Sequence, residues 1–126
     1  MLNLHIDAEI NSRYIGIEKT LIITLDSVLD KYLDKSSNCF IKIDSQDYAS
    51  QVIDGVQKTL KKSSGILCEL SLVPFYEGQH LYKDLILRLE KEGFVLRSLQ
   101  RGFGDKRDGR TLQIDTVFLK KDMIKV

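Results

Sequence analysis

Tryptophan is absent from this 126-residue chain, proline occurs once and cysteine twice. The single proline, Pro74, rules out a proline-rich linker or recognition segment and leaves nearly every position free to enter a helix or strand. Two cysteines, Cys39 and Cys68, are too few for a disulfide framework. Both sit in apolar runs and read as buried, reduced thiols. The two histidines, His5 and His80, have no ligand spacing to each other or to the cysteines, so no metal is expected. No apolar run approaches the ~18 residues of a membrane-spanning helix. The start, Met1-Leu-Asn-Leu-His-Ile-Asp7, lacks the basic opening and apolar stretch of a secretory signal. The expectation is a cytoplasmic protein with no membrane partner. An excess of either charge is missing as well. Lys plus Arg number 19 against 18 Asp plus Glu, which gives no electrostatic footprint for nucleic acid.

What is present suits a single domain. The length can bury roughly two-thirds of the unfolded surface, and the 43% hydrophobic content is that of an ordinary globular chain. Residues 1–20 are weakly patterned, with Leu2, Leu4 and Ile6 alternating as an edge strand would. From residue 21 onward the pattern sharpens into one α/β unit. Thr24 or Asp26 can cap a helix presenting Val28, Leu29, Tyr32 and Leu33. Residues 40–43 read as a strand. A helix follows from Tyr48, with Val52, Ile53, Val56 and Leu60 on one stripe, and ends at Lys61-Lys62-Ser63-Ser64-Gly65 through its lysines and glycine. Residues 66–72 are a second strand, and Pro74 and Gly78 mark a loop. A third helix places Leu81, Leu85, Ile86 and Leu89 toward the sheet and stops at Gly93. Residues 95–99 and 112–119 make two further strands. The connection between them, Arg101-Gly-Phe-Gly-Asp-Lys-Arg-Asp-Gly-Arg110, is polar and glycine-punctuated, so they should pair as an antiparallel hairpin. The predicted architecture is a three-layer α/β sheet, its first strands parallel.

Acids fall at the strand exits. Asp44 ends the first strand and Glu69 lies near the end of the second, where ligands bind in open α/β sheets. The order of these features resembles the C-terminal half of FkbM-type methyltransferases. The residues that carry the likeness are Lys42-Ile-Asp44 with Gln46 and Tyr48, Gln51-Val-Ile-Asp-Gly55, and Glu69-Leu-Ser-Leu72. It continues through Pro74, Tyr76-Glu-Gly-Gln79, Leu81, Gly93-Phe94, and Gly109-Arg110 to Gln113-Ile-Asp115, with Thr24-Leu-Asp26 ahead of the first strand. The resemblance covers roughly residues 18–121. It implies a partial Rossmann-like methyltransferase sheet whose last strand inserts between its two predecessors. It also implies S-adenosylmethionine as methyl donor and a sugar, polyketide or other small hydroxyl compound as acceptor.

By the same resemblance Asp44 is the catalytic candidate, a carboxylate that orients or deprotonates the acceptor hydroxyl. Lys42, Glu69, Tyr76, Glu77 and Gln79 are the substrate-binding candidates. Each has a plainer structural reading. Lys42, inside an apolar strand, needs an ion-pair partner such as Asp44, Glu69 or Asp115, and Glu77 suits a helix N-terminal turn. Two departures stand out. Asp47-Tyr48-Ala49 occupies the place of the family's usual Gly-Tyr-Glu or Gly-Phe-Glu. Gly102-Phe-Gly104, the one Gly-x-Gly, falls in the hairpin connection and opens no helix, so it reads as a turn and not a nucleotide loop. The donor-binding half is therefore expected to be absent, and the chain is expected to be a truncated or diverged member, inactive alone. The alternative is a non-enzymatic interaction module that homodimerises, or pairs with a partner supplying the missing half, through an exposed sheet edge.

Overall fold

The computed structural model describes residues 15–45 and 48–124. The alternating segment at Leu2, Leu4 and Ile6 lies outside them. Along the chain come β1 (Cys39–Ile43), α1 (Ala49–Asp54), α2 (Gln57–Lys62), β2 (Ser63–Ser71), α3 (Tyr82–Lys91), β3 (Phe94–Arg101) and β4 (Gln113–Lys120). Single 3-10 turns occupy Leu25–Ser27, Leu29–Lys31 and Lys121–Met123.

The four strands form one sheet in the order β1-β2-β4-β3. β1 and β2 are parallel, while β4 is antiparallel to both β2 and β3. Burial explains why β4 sits inside. Ile114, Thr116 and Phe118 are buried on one face and Val117 and Leu119 half-buried on the other, whereas β3 ends in exposed Arg97, Leu99, Gln100 and Arg101. The two-sided strand takes the centre and the polar one the edge. The first strands, β1 and β2, are parallel as expected, and β3 and β4 pair as the expected antiparallel hairpin; because β4 lies between β2 and β3, the sheet has one parallel neighbouring pair.

Three layers are not what the described residues make. Ile53 and Val56 of the first crossover, Leu60 of α2 and Leu85 and Leu89 of α3 share one buried cluster with Ile41, Ile43, Ile66, Cys68, Leu70, Ile114 and Phe118. The helices thus lie together on one face. Arg88 of α3 joins them directly, donating to the Ser50 carbonyl at 2.9 Å and its hydroxyl at 2.7 Å and pairing with Asp54. The opposite face carries Phe40, Lys42, Leu67, Glu69, Asp115 and Val117, all exposed or half-buried. Cys68 is buried and its thiol pushed up to about 12 by that burial, with Glu69 adding to the shift, so it stays an inert, protonated thiol.

The expected long helix from Tyr48 is two six-residue helices, and Asp26 is the reason. Its backbone N–H takes the Gly55 carbonyl at 3.1 Å. Its carboxylate accepts from the amides of Lys58 at 2.7 Å and Thr59 at 2.9 Å and from the Thr59 hydroxyl at 2.7 Å. A residue from outside the helix thus occupies groups that would otherwise bond within it, which breaks the ladder. Thr24 caps the Leu25–Ser27 turn through its hydroxyl. The expected α-helix after it is reduced to the two 3-10 turns, in which Leu29 is buried while Tyr32 stays exposed. The Asp34 carboxylate ends them by accepting from the Ser36 amide and from the Ser36 and Ser37 hydroxyls.

Burial alone would raise the Asp26 carboxyl, but its bonds to Lys58 and Thr59 hold it below the ordinary 3.8. Asp26→Ala should therefore cost about 1–2 kcal/mol, the value of a lost helix cap, in a urea melt at neutral pH. Because the folded value is depressed, the contribution is complete above the unfolded carboxylate range and disappears as pH falls through the folded value. The wild-type and Asp26→Ala stabilities should converge in strong acid.

Gly65 does not stop α2. The chain passes from Lys62 straight into β2, with the Ser63 hydroxyl bonded to the Thr59 carbonyl at 2.8 Å and Lys120 Nζ to the Leu60 carbonyl at 2.6 Å. Gly93, at φ 86°, closes α3 as expected.

Candidate functional site

The exits of β1 and β2 meet the start of α1 and the connection from β2 to α3. There Ser45, Ala49, Ser50, Glu69, Ser71, Gln79, His80, Leu85 and Gln113 line a depression of about 310 Å³, counting the solvent at its mouth. A row of polar side chains crosses its floor. Gln113 Nε2 donates to Glu69 Oε2 at 3.2 Å and approaches Ser71 Oγ at 3.4 Å. Gln79 Nε2 donates to Ser71 Oγ at 2.9 Å, while Gln79 Oε1 accepts from the Phe75 amide at 2.7 Å. Gln79 thereby pins the loop to the strand end. Ser45 Oγ is buried and has no hydrogen-bond partner among the described residues. It offers the site an open donor and acceptor.

Beside this row lies a carboxylate group. Glu69 pairs across the ladder with Asp115, and like charges directly opposite repel. Burial first, then Asp115 and Asp44, push the Glu69 carboxyl above its ordinary value, with Lys42 opposing. Lys42 Nζ contacts Asp44 Oδ2 at 2.9 Å, both side chains more than half exposed. Its ammonium is held above the ordinary range by Asp44 first, then by Asp115 and Glu69.

The structure brings two of the sequence-derived candidates, Glu69 and Gln79, onto the depression. Lys42 and Asp44 stand at its side as an ion pair. Tyr76, half-buried, and Glu77, exposed, belong to the loop but do not line the depression. Ser45, Ser50, Ser71, His80 and Gln113 were not among the candidates. Small polar residues near strand ends resemble ordinary turn residues; the β2–β4 register sets Ser71 opposite Gln113, while Ser45, Ser50 and His80 reach the depression only through the packing of the elements around it. Among the described residues no cluster of three His, Cys, Asp or Glu side chains could hold a metal, and no helix is long and apolar enough to cross a membrane.

A family model, the methyltransferase FkbM domain, matches residues 4–96. The chain belongs to the FkbM methyltransferase family. The matched span runs from before β1 into β3, so the FkbM match takes in both strand exits and the loop that carries Gln79, and β4 lies beyond it. Neither the curated proteins nor the solved structures contain a match to this FkbM chain.

Family membership implies S-adenosylmethionine as donor. Its amino acid group calls for a glycine-rich turn after a strand, and its ribose for an acid at a neighbouring strand exit. Among the described residues the Gly-x-Gly run is Gly102-Phe-Gly104, where the Arg101 guanidinium lies 2.7 Å from the position a Cβ on Gly104 would take. That run bridges β3 and β4 and opens no helix. β1 is an outer strand of the sheet. The described residues do not fit the donor.

Proposed function

We propose that this FkbM domain supplies the acceptor side of a methyltransferase site and is inactive by itself. In this reading the sheet is part of a Rossmann-like methyltransferase sheet, and a small hydroxyl compound such as a sugar or polyketide sits at the β1 and β2 exits. The observation that carries it is the row Glu69–Gln113–Ser71–Gln79 beside the Ser45 hydroxyl, which has no hydrogen-bond partner among the described residues. Amides and hydroxyls in such a row bind and orient hydroxyl groups. Asp44 is assigned to orient the acceptor hydroxyl, its carboxylate held in place by Lys42. Glu69 accepts a second hydroxyl, and its raised proton affinity suits proton transfer better than an ordinary carboxylate would. Tyr76 and Glu77 contribute from the loop rim, which Gln79 fixes.

Two titrations of the purified chain test this. Calorimetry with S-adenosylmethionine and S-adenosylhomocysteine should give no saturable heat up to millimolar ligand. Saturable binding at micromolar ligand would overturn the acceptor-side reading. In amide NMR, methyl glycosides of simple hexoses should shift Ser45, Ser71, Gln79 and Gln113 together. Shifts confined to another surface would place the acceptor elsewhere.

A second reading, the non-enzymatic interaction module, is favoured by the outer edge of β1. No described residue pairs with that edge, and Phe40 on it is 52% exposed. Such an edge admits a second copy or a partner that supplies the remaining half of the site.

A further inference from the structure

The stretch before Asp26 is the least protected apolar segment among the described residues. Residues 15–24 read Ile-Gly-Ile-Glu-Lys-Thr-Leu-Ile-Ile-Thr and form neither helix nor strand. Ile17, Leu21, Ile22 and Ile23 are 83%, 89%, 86% and 60% exposed. No backbone group of residues 15–23 bonds to another described residue. Residues 20–25 are uncharged, rich in β-branched side chains and free of proline, the composition of a strand. The stretch is not loose at its base. The Asp26 amide is bound to Gly55, and Thr24 Cγ2 lies 3.2 Å from the position a Cβ on Gly55 would take.

The chain therefore carries a strand edge, β1, and a strand-like segment on a fixed base, neither of which pairs with any described residue. We propose that residues 15–24 of one copy add as an outer strand to β1 of a second copy. This rests on the interaction-module reading and names its partner and its contact. The occupant is a second copy because each chain holds both complementary parts, so reciprocal addition satisfies both edges and closes at two chains. Main-chain hydrogen bonds to β1 supply the pairing, and Leu21 and Ile23, or Ile22 and Thr24, cover the Phe40 side of the edge according to register. Fixing the base at Gly55 lowers the ordering cost of the exchange.

Light scattering on the eluting chain at tens of micromolar should give twice the 14.5 kDa monomer mass. The double substitution Leu21→Lys with Ile23→Lys, at positions outside the core, should halve that mass and leave the thermal midpoint of the monomer fold in place. A synthetic peptide of residues 15–26 should bind the double variant one to one, and in excess should dissociate the wild-type dimer. A wild-type chain that is monomeric overturns the proposal. A dimer that survives both the lysines and the peptide overturns it too, while leaving association through another surface, and hence the broader module reading, in force.

Discussion

Phe118→Ala should lower stability by about 3–5 kcal/mol, the usual loss for a buried aromatic, and the thermal midpoint by roughly 10–20 °C. Phe118 is fully buried, in the strand that joins the two halves of the sheet, and its register partners are Ile66 on β2 and Leu96 on β3. Its ring belongs to the cluster that contains Leu85 and Leu89 of α3 and Leu60 of α2. Truncation would open a cavity where sheet and helices meet. Val117→Ala, one residue away on the half-buried face, should cost about 1 kcal/mol, roughly the transfer free energy of the methyl groups removed. Urea melts of the two variants would decide the matter. A small loss for Phe118→Ala, or equal losses for the pair, would mean that β4 does not hold the centre of the sheet.

Gly65→Ala should cost about 1–3 kcal/mol, the penalty of overpacking. Its φ is not the cause. A Cβ there would lie 2.6 Å from the Phe40 ring, 2.8 Å from the Phe118 carbonyl oxygen and 2.9 Å from Leu119 Cδ2. Two of these neighbours are side-chain ends that can turn aside, but the carbonyl belongs to the β2–β4 ladder and cannot. The double variant Phe40→Ala with Gly65→Ala should therefore recover only part of the loss, with a coupling of about 0.5–1 kcal/mol in a double-mutant cycle. Full recovery would show that the ring alone excludes the side chain, and no loss in the single variant would show that the strands part freely at this point.

The sequence made the strands legible because their apolar runs are short and bounded. The third helix was legible too, since Leu85 and Leu89 recur at helical spacing and Gly93 ends it. What escaped were effects of residues distant in sequence. The stripe Val52, Ile53, Val56, Leu60 suits one continuous helix, and nothing local discloses that Asp26 divides it. Gly65 reads locally as a helix stop because glycine often is one, whereas its reason lies across the sheet at Phe118. The insertion of β4 came from family resemblance and not from periodicity, for a hairpin pattern is the same whichever strand ends outermost. At the site, Glu69 and Gln79 could be picked as an acid and an amide near strand exits. Ser71 and Gln113 could not, because their significance is their position opposite one another in the β2–β4 ladder, nor could Ser45, whose buried hydroxyl is placed by the fold just past β1.

The Asp26 contact also bears on the order in which the chain acquires structure. Helices of six residues do not persist in isolation, since nucleation consumes most of what so few bonds return. The α2 half of the crossover thus depends on a carboxylate 32 residues upstream of Lys58. Such a contact closes a long loop before it is rewarded, which slows formation. The register of the first crossover is therefore settled late, by the segment that precedes the sheet, and a fragment beginning after Asp26 would keep all four strands while losing the group that starts α2.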